Sequence, residues 1–149
     1  MPVHAVRIDT DGRTSPVDLP EDTAGLRSAL RGLLGGIPEQ AVYHHRSLLW
    51  VHGDGQGTGL APNLTAWALA SAWRRTPLPY QLYGAVVVTG RDGDGASTLL
   101  DDDLAGHAHT VAATVQSTMA AWRRRPPTST DAAVSELLAY VVRDVRDLS

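Results

Sequence analysis

Histidine is the most reactive side chain available to this chain, which has six of them and no cysteine or lysine. His44 and His45 adjoin, and His52 follows on what reads as the next strand. Neighbours on a strand point to opposite faces, so His44 and His45 are expected to diverge. His44 and His52 can approach each other across a hairpin. Either one, with an aspartate beside it, would serve as general acid or base. That is one functional reading: a small hydrolase or nucleotide-handling enzyme with an anion held near Asn63. His107 and His109 stand two apart on a helix, about 200° around its axis, and cannot grip one metal ion. Asp103 and His107 are four apart and can meet as a surface ion pair.

Other motifs are less specific. His52-Gly53-Asp54-Gly55-Gln56-Gly57-Thr58-Gly59 has four glycines in eight residues and reads as a flexible connection to the next helix. No Gly-Lys-Ser/Thr follows, and Thr58 stands where a dinucleotide fingerprint needs its third glycine. Asp92-Gly93-Asp94-Gly95 opens like a calcium loop, but Ala96 occupies the third ligand position, so a turn is the better reading. Asp101-Asp102-Asp103 suits a helix start, where negative charge meets the dipole. No G-x-S-x-G elbow or H-E-x-x-H pair occurs. The expectation is therefore no catalytic residue, no metal and no cofactor.

Composition narrows the classes further. Absence of cysteine removes disulfides, thiolate zinc sites and a cysteine nucleophile; absence of lysine removes Schiff-base chemistry and the P-loop cation. All 13 basic residues are arginine, and the formal charge is -3. The Arg, Ala, Gly, Pro and Asp bias follows GC-rich codons, an actinobacterial-type composition. Net acidity weighs against nucleic acid. A nucleic-acid alternative rests on Trp122-Arg123-Arg124-Arg125, with Trp73-Arg74-Arg75 as a second such patch. Both fit a helix end equally well, since arginine answers the last carbonyls and proline follows. Met1 to Thr10 lack a basic region followed by an apolar stretch, and the apolar runs are far below a span of about 20 residues. A soluble cytoplasmic protein away from membranes is expected.

The elements that must position these groups read as β-β-α-β-β-α-β-α-α. Val3 to Ile8 and Thr14 to Leu19 form a hairpin, with Pro16 marking an edge strand. A helix follows Pro20-Glu21-Asp22, with those acids in its first turn, and Gly35-Gly36 stops it. Gln40 to His44 and Leu48 to His52 are strands about a turn at His45-Arg46-Ser47. Asn63 caps a helix running to about Arg75, with Leu64, Trp67, Ala68 and Ser71 inward. Tyr83 to Thr89 is the central strand, buried on both faces, and Gly90 to Gly95 a turn. A long helix from Asp101 carries a stripe of Leu104, Ala108, Val111, Val115, Met119 and Trp122. Pro126-Pro127 breaks it, and a last helix begins at Thr130-Asp131. The fold class is α+β: a small, mostly antiparallel sheet of about five strands with two helices, then an αα-hairpin.

Gly59-Leu60-Ala61-Pro62-Asn63-Leu64-Thr65-Ala66, then Tyr83-Gly84-Ala85-Val86-Val87-Val88-Thr89-Gly90 and Leu99-Leu100-Asp101-Asp102, resemble the domain of unknown function 3846. That family occurs in phages, plasmids and bacteria, many of them actinobacteria. The resemblance covers about residues 1–105 and implies a small α+β domain with no known activity, so it transfers no catalytic residue. Residues 106–149 then form a helical extension packed on that domain or on a partner, a face that would suit a homodimer. The leading expectation is a non-enzymatic accessory protein that binds a protein partner or small ligand. Its contact pole would gather Asn63, His52, His44 and Arg91 with the glycine-rich loop.

Overall fold

The computed structural model describes residues 3–148. Met1 and Pro2, within the stretch read for targeting signals, and Ser149 at the end of the helical extension lie outside the described residues. Ten elements follow in order: β1 (Val3–Ile8), β2 (Thr14–Leu19), α1 (Thr23–Leu34), β3 (Pro38–His44), β4 (Ser47–His52), α2 (Leu64–Arg74), β5 (Val86–Arg91), β6 (Ser97–Thr98), α3 (Asp102–Arg124) and α4 (Thr130–Asp144).

The fold is α+β, built on one antiparallel sheet ordered β2-β1-β5-β4-β3, with β6 pairing β5. Pro16 lies on the edge strand β2, where its missing N–H costs no ladder bond. Val86-Val87-Val88 occupies the central strand, and all three side chains are fully buried. Alternation sends Val87 to one face, with Leu48, Trp50 and α1's Leu30 and Leu34. Val86 and Val88 go to the other, with Val6, Ile8 and the helices α2, α3 and α4.

The helical side is stacked two deep. Helices α2 and α3 lie on the sheet, and α4 packs across both as the second arm of an αα-hairpin. Helix α2 is therefore enclosed, and every residue from Thr65 to Trp73 is buried. The expected inward face of Leu64, Trp67, Ala68 and Ser71 is too narrow a description. Ala66, Ala68, Ala70 and Ala72 keep the helix slim enough for neighbours on all sides.

Several boundaries move for physical reasons. Asp22 precedes α1 and caps it, its carboxylate accepting from Gly25 N–H at 2.7 Å, so the acids stand before the first turn. Strand β5 begins at Val86 and keeps Gly90 and Arg91; Tyr83 instead bridges to Pro62. The turn is confined to Asp92–Gly95, where Asp92 Oδ1 accepts from Asp94 and Ala96 N–H, both at 2.9 Å. It leads into the short β6, which the sequence pattern did not reveal. Met119 sits on the expected α3 stripe but is 44% exposed, because α4 covers another sector of the helix.

Candidate functional site

The β3–β4 hairpin separates the candidate histidines. His44 pairs with Ser47 beside the turn, whereas His52 pairs with Pro38 at the opposite end. They do not meet. Nor do His44 and His45 diverge: β3 ends at His44 and His45 belongs to the turn, so strand alternation does not reach it, and the two rings stack at 4.6 Å between centroids. His44 is buried, its Nδ1 accepts from Arg46 N–H at 3.1 Å, and its ring meets the edge of Trp73. Trp73 Nε1–H in turn donates to His107 Nδ1 at 3.1 Å. An indole N–H can only donate, so His107 carries its proton on Nε2, which reaches the Arg146 carbonyl at 3.0 Å. His107 is thus a buried core histidine rather than a surface one, and the hydrogen-bonded partner of Asp103 is Arg46. His109 faces the other way and meets the Thr14 hydroxyl.

Asp103 instead pairs with Arg46. The guanidinium donates to both Asp103 carboxylate oxygens, at 3.2 and 2.8 Å, and to Asp101 at 2.7 Å. Asp101 occupies the N-cap position without capping through its side chain, a correction to its expected role. Arg46 holds the Asp103 carboxyl below the usual carboxylate range, and the two aspartates hold the Arg46 guanidinium above its own. Arg91 lies at this same end and reaches the His45 carbonyl at 3.4 Å.

Asn63 is fully buried. Its Oδ1 accepts from Ala66 N–H at 3.0 Å, the expected helix cap, while Nδ2 donates to the Ile8 and Gly84 carbonyls at 3.0 and 2.9 Å. The amide is fully used within the fold. Asn63, the glycine-rich loop and Arg91 therefore do not share one pole, because β4 and β5 carry Arg91 to the end away from the loop.

The loop is wound rather than loose. Thr58 N–H reaches the Asp54 carbonyl at 3.0 Å, and Leu60 N–H reaches Gly55 at 2.9 Å. Gly55 is buried against Tyr83, where a Cβ would come within 3.0 Å of the tyrosine. His52 Nδ1 accepts from Asp54 N–H at 2.9 Å, and its ring packs on Gly36, where any Cβ would collide with it.

Beside this loop, β3 and the segment Tyr80–Tyr83 enclose a cleft of about 450 Å³. Tyr43, Tyr80 and Tyr83 line it with Glu39, Gln40, Asp54, Gln56 and Gln81; Val51 and Leu82 add apolar surface. The Tyr43 and Tyr80 hydroxyls bond at 2.8 Å. Burial, and then this bond, push the Tyr43 phenol up, so it stays neutral. The spacing of these phenols in the sequence does not group them. Their one signal is an exposed tyrosine directly after Pro77-Leu78-Pro79.

The arginine patches stand apart. Trp73 at the end of α2 touches His107 near the start of α3, while Leu64 and Trp122 line one small cavity. The helices are antiparallel, so Arg74-Arg75 and Arg123-Arg124-Arg125 lie at opposite ends of the layer. Arg125 is paired with Glu136 at 2.6 Å, and Arg123 borders a groove of about 530 Å³ beside the β1–β2 turn. Among the described residues, no three His, Asp or Glu side chains gather as a metal-ligand set, and no helix is long and apolar enough to cross a membrane. No family model matches the chain, and neither a curated protein nor a solved structure matches it.

Proposed function

We propose that the chain is a non-catalytic binding protein that takes a small ligand in the cleft bounded by β3, the glycine-rich loop and Tyr80–Tyr83. The cleft carries the reading: phenols, amides and carboxylates converge on a volume of about 450 Å³, within the range of small-molecule sites. His52 also lines this cleft, with its Nδ1 taken up by Asp54 N–H, which supports a binding role for it. The resemblance to the domain of unknown function 3846 extends the proposal to an accessory role in a phage or mobile element. A thermal-shift screen of small molecules tests it. A bound compound should raise the unfolding midpoint in proportion to its concentration, and Tyr80→Ala should abolish the rise. Turnover of a defined substrate by the purified protein would overturn the proposal, and so would a full screen without a Tyr80-dependent shift.

A second reading has its own observation. Among the described residues no strand lies beyond β3, and Ile37 and Val42 beside that edge are 62% and 50% exposed. A protein partner would add a strand there. Val42→Lys should then weaken partner capture while leaving small-molecule binding intact.

A further inference from the structure

The cleft's charge narrows the class of ligand. Glu39 and Asp54 line it, and among the described residues neither carries an ion pair, whereas Asp101, Asp103, Glu136 and Asp144 each hold an arginine. No arginine is among the lining residues, and the one histidine there, His52, has its Nδ1 occupied by Asp54 N–H. Tyr43, Tyr80 and Tyr83 add rings whose π-faces attract positive charge. A calcium ion would need six or more converging oxygens, and apolar wall carbon beside the rings suits a ligand with carbon of its own. Resting on the reading of this cleft as a ligand site, we infer that its ligand is a small organic cation, a protonated amine, guanidinium or quaternary ammonium. The carboxylates supply the field and the phenol rings the contact surface.

The probes are choline, agmatine and an uncharged carbon isostere of choline in which a tert-butyl group replaces the trimethylammonium. Calorimetric titration of the whole chain should show saturable binding of choline or agmatine. The favoured cation should bind about tenfold or more tightly than the uncharged compound, a difference cation–π and carboxylate contacts can supply. The pair Glu39→Gln and Asp54→Asn should lose about tenfold with an unchanged circular dichroism spectrum, since both positions are exposed. A basic peptide that binds more tightly than either free cation would overturn the small-ligand assignment. Equal or tighter binding of the uncharged compound would overturn the cation class but leave the cleft a ligand site. The same split follows if neither cation binds while a screened neutral or anionic compound gives a Tyr80-dependent shift. Failure of every compound would overturn both readings.

Discussion

Asn63 uses its whole side-chain amide on backbone groups of three segments: α2, the end of β1 and the turn before β5. A cap alone is worth about 1 kcal/mol, and each buried carbonyl left without its donor adds about 1–3 kcal/mol. Asn63→Ala should therefore cost at least about 3 kcal/mol in urea unfolding, well beyond a cap. Asn63→Asp separates the parts, because it keeps the cap acceptor and loses both donors. An aspartate variant as stable as the native chain would show that the cap does all the work. The four tryptophans obey the same rule: each indole N–H donates to a named acceptor, Thr89, Leu78, His107 or Glu136. His107 is in the core because Trp73 needs that acceptor.

Among the elements, α3 is tied at both ends by charge. Arg46 on the β3–β4 turn holds its start through Asp101 and Asp103, and Glu136 on α4 holds its end through Arg125 and Trp122. Asp144 on α4 accepts from Thr114 in α3's middle. Hydrogen bonds from Arg46, Arg125 and Arg143 lower the Asp103, Glu136 and Asp144 carboxyls respectively. A carboxyl that titrates lower when folded stabilises fully above its unfolded value and loses that contribution as pH falls through its folded value. Stability should therefore drop on acidification below the usual carboxylate range. These are surface pairs, so Asp103→Asn should cost at most about 1 kcal/mol at neutral pH. Its main effect should be a shallower acid limb in melting curves recorded from pH 6 to pH 2.5. Parallel limbs for native and variant chains would refute this role for the pair.

At the scale of the molecule, one core spans the helical side. Leu104, Val111, Val115, Leu137 and Val141 are buried in the same cluster as Ile8, Leu49, Val86 and Val88 of the sheet. Five such side chains at about 2 kcal/mol each come to about 10 kcal/mol, comparable with the whole stability of a domain. A chain ending at residue 105 should therefore lose cooperative unfolding and amide chemical-shift dispersion. A truncated chain that melts sharply would establish 1–105 as an independent domain.

Local information determined the elements of this protein. Val86-Val87-Val88 and Leu48-Leu49-Trp50-Val51 mark inner strands because each run is apolar on both strand faces. Asn63, Gly35 and Pro126 mark helix ends because caps and breakers act on their own neighbours. Side-chain partners were not legible this way. His44 and His45 stack because the strand ends between them, and Asp103 meets Arg46, 57 positions away, because the β3–β4 turn lies against the start of α3. The cleft likewise draws on three separate segments, β3, the glycine-rich loop and Tyr80–Tyr83. Hydrophobic periodicity reports only which face of an element is buried. Which elements meet, and so which polar groups face one another, was decided by packing the whole chain against the two faces of one sheet.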